Sequence, residues 1–357
     1  MRRRRRRRKC LYTHKKRKRK PDCKAKQPRK DNRTPQKKPD KVVVSKERHS
    51  ARRFQMCHNK FLNYNEIKNF LSEMQRAYPG KLQVQVIGHS AEGRAIFLAI
   101  ISCGGNPQQP KMATMIEAGA NGDEWLTIST ALYMIDFLAK NPNFVKIMDY
   151  FIIPCSNPDA YENSLCNTNK SNVAMCLSNN FPVLLGSCDM TAIRTDTFLD
   201  RIKDWKERYK CNAPETLAVI KAVVTYQFAV KLFISLQGDG TSITYPYGFC
   251  QNDVQDAEDL KRLAKAGQQG VKSRCFQIGS VYNVSGLTYG NIIDFLRTNR
   301  SSIKFTYVVH VNKKQKKLEP GNIICYGQEV MNCVRFMGRG VFMFYNQDKV
   351  NHCKSFF

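Results

Sequence analysis

The chain lacks several features that would each have indicated a class of protein. It contains no Cys-x-x-Cys pair, which argues against a finger-type structural zinc site. No apolar run reaches about 18 residues, so no membrane-spanning helix is predicted. No apolar stretch of roughly 7–15 residues follows the first arginines, so no secretory signal peptide is visible. Acidic residues are also scarce, with 29 Asp and Glu against 59 Lys and Arg, a net charge of +30.

Most of this charge lies in residues 1–60. That segment holds 27 Lys and Arg and 4 Asp and Glu, a net of +23, whereas the other 297 residues hold 32 and 25, a net of +7. Residues 2–8 are all arginine, and large apolar residues are almost absent before Val42. This composition predicts a disordered polybasic tail over 1–60, which either attracts polyanions such as nucleic acid or is simply solvated. Residues 61–357 are predicted to form one α/β domain.

Fourteen cysteines are many for a cytosolic protein, and eleven of them lie within residues 61–357. An odd number leaves at least one thiol unpaired there, unless it pairs with a cysteine of the tail. The count favours disulfides and an oxidising compartment. The basic start, in contrast, fits the loose pattern of a nuclear localisation signal. The sequence therefore leaves the compartment open between extracellular and nuclear.

The most informative stretch is a buried strand at 112–116, a short turn, and a helix over 126–136. Its apolar residues recur first at strand and then at helical spacing. Such a turn at the end of a buried strand is a usual place for the functional groups of α/β proteins. The turn presents an amide, Asn121, and a carboxylate, Glu124. The same criteria predict a helix over 63–78 and strands at 82–87, 96–102, 150–154, 229–236 and 305–309.

Several motifs follow one another along the chain in an order that carries a family resemblance. They are Gly88-His89-Ser90-Ala91-Glu92-Gly93-Arg94, Asn121-Gly122-Asp123-Glu124-Trp125, Asn157-Pro158-Asp159-Ala160-Tyr161, Ala213-Pro214-Glu215-Thr216 and Tyr245-Pro246-Tyr247-Gly248. From about residue 64 to residue 309 the chain resembles the zinc carboxypeptidases of the A/B type. The resemblance implies a single domain with a mixed central β-sheet flanked by helices, and an ancestral activity on the C-terminal residues of peptides.

The resemblance also implies a zinc site, and two of its three positions differ here. The family uses His-x-x-Glu before a Trp, with a second His at the end of a later strand. In this chain those positions are Asn121, Glu124 and Gln237, so only the carboxylate is retained. Amide oxygens are poor zinc ligands and suit harder cations better. No cofactor is therefore predicted.

The position of the family's general base is also altered. The family's last core strand carries a glutamate that activates the zinc-bound water, and that position is Val308, which cannot accept a proton. His310 lies two residues further on the same strand face. Tyr282 matches the family's mobile active-site tyrosine.

The predicted substrate cleft has changed as well. The family binds a C-terminal carboxylate with an Asn-Arg pair, where this chain has Ser178 and Asn179. An arginine beside the zinc-binding Glu is replaced by Asp123, and the specificity-pocket position falls at Ile293. The family has a further arginine in the segment between Tyr161 and Cys176, where the only candidate here is Lys170. A lysine cannot bind a carboxylate through two parallel hydrogen bonds as an arginine does.

Three functions remain open from the sequence. The first is a catalytically inactive relative that binds a protein or peptide in its degenerate cleft. The second is a working metallocarboxypeptidase with a rearranged site, in which Asn121, Asp123, Glu124, Gln237 and Asp239 hold a hard cation. The third is polyanion or nucleic-acid binding through the basic tail. The altered positions favour the first, and hence a protein without enzymatic activity.

Overall fold

A mixed eight-stranded sheet forms the centre of the described part of the chain. The computed structural model describes residues 58–104, 111–166, 176–183, 213–238, 240–271, 273, 275–299, 301–311 and 319–346. The strands are β1 Leu82–His89, β2 Ala95–Ile101, β3 Ala113–Ala118, β4 Asp149–Ile153, β5 Val230–Gln237, β6 Ser242–Tyr245, β7 Gln277–Ser280 and β8 Phe305–His310. Their order across the sheet is β1-β2-β4-β3-β5-β8-β6-β7.

The middle of the sheet is parallel, antiparallel pairs lie on both sides of it, and the outermost pair β6–β7 is parallel again. Strand β3 runs parallel to both β4 and β5, and β5 runs parallel to β8. The pairs β1–β2, β2–β4 and β6–β8 are antiparallel. The carboxyl ends of β3, β5 and β8 consequently meet at one edge of the sheet, where functional sites of α/β proteins commonly lie.

Helices cover both faces of this sheet. They are α1 Tyr64–Ala77, α2 Trp125–Lys140, α3 Pro158–Cys166, α4 Pro214–Tyr226, α5 Ala257–Gln269, α6 Val281–Ser285, α7 Ile292–Thr298 and α8 Ile323–Tyr345. Neighbouring residues of β3 point to opposite faces, as the strand period requires. Ile116 belongs to the apolar cluster that includes α2 and α8, and Met115 belongs to the cluster that includes α4 and α7.

The predicted α/β fold is confirmed, and the predicted elements are present with small shifts at their ends. The helix predicted over 63–78 is α1, and its Asn63 side chain accepts a hydrogen bond from the Glu66 backbone amide while the Glu66 side chain accepts one from Asn63. This reciprocal pair satisfies two amide groups that the first helical turn leaves free. Of the predicted polybasic tail, residues 1–57 lie outside the described residues and only residues 58–60 are described. The first described residue, His58, packs against α2, where its Nε2 lies 3.3 Å from Asp136 Oδ2.

The described residues test two predictions made from composition, that of disulfides and that of no membrane-spanning helix. The eight cysteines within the described ranges are all free thiols, two of them buried, namely Cys155 and Cys333. The other six cysteines of the chain lie outside those ranges. Among the described helices none is long and apolar enough to cross a membrane.

Candidate functional site at the carboxyl ends of the central strands

The ends of β3, β5 and β8 place the predicted site residues in register. Gln237 on β5 is paired with His310 on β8, and Ser235 is paired with Val308. Because side chains alternate along a strand, these four side chains share one face of the sheet. The strand register therefore brings Gln237 and Val308, predicted from separate motifs, to adjacent positions.

The turn between β3 and α2 is held tightly by two glycines. Gly119 has a φ of +73°, and a Cβ there would lie 2.7 Å from Cγ1 of Ile128. A Cβ on Gly122 would overlap with the backbone of Ala160 in α3. Since both positions exclude a side chain, the path of the turn between Gly119 and Glu124 is fixed against α2 and α3.

Both polar atoms of the Asn121 side chain form hydrogen bonds within the turn or with the neighbouring segment at 176–178. Its Nδ2 donates to Glu124 Oε1 at 2.7 Å. Its Oδ1 accepts a hydrogen bond from Ser178 Oγ at 3.0 Å and a second from the Cys176 thiol. The amide oxygen, which is the only atom of an asparagine side chain that readily ligates a metal, therefore carries two donors.

Glu124 is a buried carboxyl group with one oxygen lacking a partner. Burial raises its pKa to about 8, although hydrogen bonds from Asn121 and the Gly238 backbone act in the opposite direction. Its Oε2 is buried and has no hydrogen-bond partner. Burial thus favours the protonated form of this carboxyl group, because ionisation would leave an unpaired buried charge.

Gln237 and His310 lie at the edge of the same site, and both are half-buried. Gln237 Nε2 donates to Ser235 Oγ over a long 3.4 Å. His310 Nδ1 lies 2.6 Å from the carbonyl oxygen of Gly238. This contact requires a proton on Nδ1, because a carbonyl oxygen only accepts.

Val308 and Ile293 are apolar core residues. Val308 is 3% exposed and Ile293 is fully buried, and both belong to the apolar cluster on the α4 and α7 side of the sheet. Tyr282 is half-buried in α6, and its backbone amide donates to the Tyr247 carbonyl at 2.9 Å.

The predicted substrate-binding positions differ in their exposure. Asp123 and Asn179 are exposed, whereas Ser178 is buried and bonded to Asn121. Asp123 forms no ion pair with another described residue. Lys170 and Asp239, which the sequence also suggested, lie outside the described residues.

Sequence reasoning missed two polar residues of this region. Cys176 was not connected with the site, because a thiol ten residues after Cys166 gives no signal by itself. The predicted strand ended at residue 116, so Glu117 was placed in the turn, whereas it lies inside β3, where a buried carboxyl group is a signal in its own right. Its two oxygens accept hydrogen bonds from Ser156 and Ser235, the second at 2.7 Å, and burial raises its pKa.

Acidic and imidazole groups do not cluster at this edge. Within the described ranges, no three His, Cys, Asp or Glu residues come close enough to hold a metal ion together. Glu117 lies in β3, and Glu124 directly precedes α2. The Glu117 charge raises the pKa of Glu124 further.

The chain is similar to known zinc carboxypeptidases over most of its length. It is 22% identical to carboxypeptidase B of Astacus astacus over 308 residues, covering 78% of this chain and 96% of that protein. It is 22% identical to carboxypeptidase A1 of Bos taurus over 267 residues, covering 68% of this chain. The match spans only 61% of the length of the bovine protein.

Solved structures show the same fold. The carboxypeptidase A of Helicoverpa armigera superimposes with a TM-score of 0.67 at 20% identity, covering 83% of this chain and 77% of that one. Bovine thrombin-activatable fibrinolysis inhibitor, solved with a tick carboxypeptidase inhibitor, gives 0.66 at 19% identity and covers 80% and 98%. The sequence model of the zinc carboxypeptidase family matches residues 67–333. By fold and by the extent of this match, the chain belongs to the zinc carboxypeptidase family.

Proposed function

We propose that this family member does not hydrolyse peptides and instead binds a peptide or protein segment in its cleft. Family membership alone does not fix an activity, because function depends on the groups in the site. The proposal therefore rests on the side chains at the carboxyl ends of β3, β5 and β8.

The observation that carries the proposal is the hydrogen bonding of Asn121. Its amide oxygen accepts from Ser178 and Cys176, and its Nδ2 donates to Glu124. To ligate zinc, this oxygen would have to give up both donors, and an amide is already a weak ligand for zinc.

The other two positions support the same reading. Gln237 adds a second amide where the family has an imidazole, so one carboxyl group and two amides face the site. These residues do not fit a zinc ion held by three protein ligands. Val308 is packed in an apolar cluster and has no atom that could take a proton from water.

The charge of the cleft determines which peptides it can accept. Asp123 is exposed and lies beside Glu124, and Asn179 is a neutral amide. A carboxylate placed near Asp123 without a cation would be repelled. We therefore expect the ligand to be an internal segment or a neutral chain end, so that amidation of a bound peptide's C-terminus does not weaken its binding.

The first test is the zinc content of the full chain after equilibration with micromolar zinc and desalting. We expect well under one zinc per chain for the wild type. The double variant Asn121→His, Gln237→His restores two imidazoles beside Glu124, and we expect it to retain about one zinc. The variant Asn179→His, which adds a histidine at an exposed neighbouring position, is the matched control and should remain metal-poor.

A stoichiometric zinc in the folded wild type would refute the proposal. So would chelator-sensitive release of C-terminal residues that disappears in Glu124→Gln, since this result would identify a working hydrolase with a rearranged site. If the double variant also retains no zinc, the wild-type result still stands. That outcome would show that the surrounding turn, and not only the type of ligand, opposes metal binding.

The basic tail supports a second function that is independent of the cleft. Residues 1–60 carry a net charge of +23. Such a density of arginine and lysine binds polyanions through the release of counterions. We propose that this segment contacts nucleic acid or another polyanion while the folded part binds its own ligand.

A further inference from the structure

A separate cavity lies at the opposite edge of the sheet from the candidate site. It is formed by the residues just before and at the start of β4 together with the second half of α8. Since β4 is parallel to β3, its start lies at the amino ends of the central strands. The cavity measures about 240 Å³ and is partly open to solvent. It shares no residue with the site built around Asn121 and Glu124.

The walls of this cavity are mostly apolar. Phe144, Met148 and Tyr150 line it from the β4 side, and Ile147 stands at its mouth with 43% of its surface exposed. Gly338 of α8 allows the helix to approach, because a Cβ there would already lie 3.3 Å from the Met148 sulfur. A pocket with apolar walls and few polar groups is typical of a small-molecule site.

The charged groups of the cavity are two arginines, and Asn143 adds a neutral amide. Arg335 lies over the Phe144 ring, with its guanidinium carbon 5.1 Å from the ring centre, and its Nε is buried without a hydrogen-bond partner. Arg339, one helical turn further, is exposed. Neither arginine forms an ion pair with a described residue, and none of the described residues that line the cavity is acidic. The adjacent acid, Asp149, lies 3.5 Å from Lys111 instead.

Two guanidinium groups without an acidic partner, next to an apolar cavity, fit a ligand that has an anionic group and an apolar body. Arginine at positions i and i+4 of a helix presents two donors on one face, which suits a carboxylate. Because about 240 Å³ lies below the usual range of roughly 300–1,000 Å³ for drug-sized ligands, the apolar part must be small. We propose that this cavity binds a small organic anion with an apolar body, such as a medium-chain carboxylate, whose charge contacts Arg335 and Arg339 and whose chain contacts Phe144 and Met148.

The test is calorimetric titration of the full chain with octanoate, with 1-octanol and inorganic phosphate as comparison probes, at about 150 mM salt to weaken contacts with the basic tail. We expect saturable octanoate binding at one site. Octanol lacks the charge and phosphate lacks the apolar body, so each should bind at least about tenfold more weakly.

Variants assign the binding to the cavity. Arg335→Gln should weaken octanoate about tenfold, and the exposed Arg339→Gln should weaken it severalfold without a risk to folding. Arg262→Gln removes the same charge from an exposed position of α5 and should change nothing. Ile147→Ser should weaken octanoate and octanol alike. The proposal is overturned by the absence of saturable binding, by equal affinities for octanoate and phosphate, or by octanoate affinity that neither arginine variant changes in a protein that stays folded.

Discussion

Asp294, next to the predicted pocket residue Ile293, is a buried carboxyl group whose ionisation opposes folding. Its Oδ2 accepts hydrogen bonds from the Gly248 backbone amide at 2.9 Å and from Asn291 Nδ2 at 2.8 Å. Oδ1 is buried without a hydrogen-bond partner. Burial raises the pKa of this group to about 7 and outweighs the hydrogen bonds from Gly248, Asn291 and the Phe249 backbone.

The raised pKa predicts a pH dependence of stability. The unfolded chain binds a proton at this group only below about pH 4, whereas the folded chain retains it up to about pH 7. Between these values the folded state binds more protons, so the free energy of unfolding falls as the pH rises. We expect Asp294→Asn, whose oxygen can accept the same two hydrogen bonds, to be more stable than the wild type by roughly 2–4 kcal/mol at pH 8 and to differ little at pH 4.

Urea unfolding of both proteins at pH 4, 6 and 8 measures this difference. The variant Asp123→Asn changes the net charge by the same amount at an exposed position and serves as the control. Equal differences between wild type and Asp294→Asn at all three pH values would show that Asp294 does not titrate in this range.

The candidate site also shows what a sequence can and cannot predict about single residues. Asn121, Glu124 and Gln237 were selected because their motifs resemble the zinc-ligand positions of the family, and their role stays a prediction. The hydrogen bonds that Cys176 and Ser178 give to Asn121 could not be predicted, since they depend on a segment more than fifty residues away in sequence. Contacts of this kind follow from tertiary packing rather than from local pattern.

At the level of elements, the loop between α6 and α7 is held against the segment that carries Asn179. Gly290 has a φ of +75°, and a Cβ there would overlap with the carbonyl oxygen of Asn179. The Phe181 amide donates to the Gly290 carbonyl at 2.7 Å. The loop therefore joins the element of Tyr282 to the predicted substrate-binding segment.

We expect Gly290→Ala to destabilise the protein by about 3 kcal/mol or more, because strain at positive φ adds to a backbone overlap. The control is Gly80→Ala, at a φ of +74° with no atom within 4 Å of the added Cβ. That change should cost only about 1 kcal/mol, the strain alone. Thermal unfolding of the two variants gives the comparison. Similar losses would mean that the loop moves away from Asn179 at little cost.

Six of the eight strands were predicted from the sequence, whereas the short strands β6 and β7 were not. Strand β3 and helix α2 follow directly from the change of apolar period along one continuous stretch. The position of α8 could not be predicted in this way. Its buried residues, among them Val334 and Met337, pack against α2 and α5, and the cavity beneath it depends on that packing. A pattern of apolar residues indicates a buried face without indicating its partner.

On the scale of the whole molecule, most of the positive charge lies in residues 1–60 rather than in the rest of the chain. Residues 61–357 carry only +7, and the described residues among them form a single sheet flanked by helices, whereas residues 1–60 carry +23. Binding that depends on the cleft and binding that depends on this segment should therefore respond differently to salt. Contacts with a polyanion weaken steeply with added salt, and contacts with a neutral peptide in a cleft do not.

Replacing the seven arginines of residues 2–8 by glutamine distinguishes binding through the cleft from binding through the basic segment. For a DNA duplex, the logarithm of the binding constant falls with the logarithm of the salt concentration by about 0.9 for each phosphate contacted. If these arginines contact phosphates, the slope of this plot should become shallower by several units in the variant, and its affinity for the duplex at 0.15 M salt should fall at least about tenfold. Its zinc content and its unfolding midpoint should stay unchanged. Arg262→Gln in the folded part should alter the slope by no more than about one. An unchanged slope in the seven-residue variant would assign polyanion binding to other basic residues and would separate the first arginines from this function.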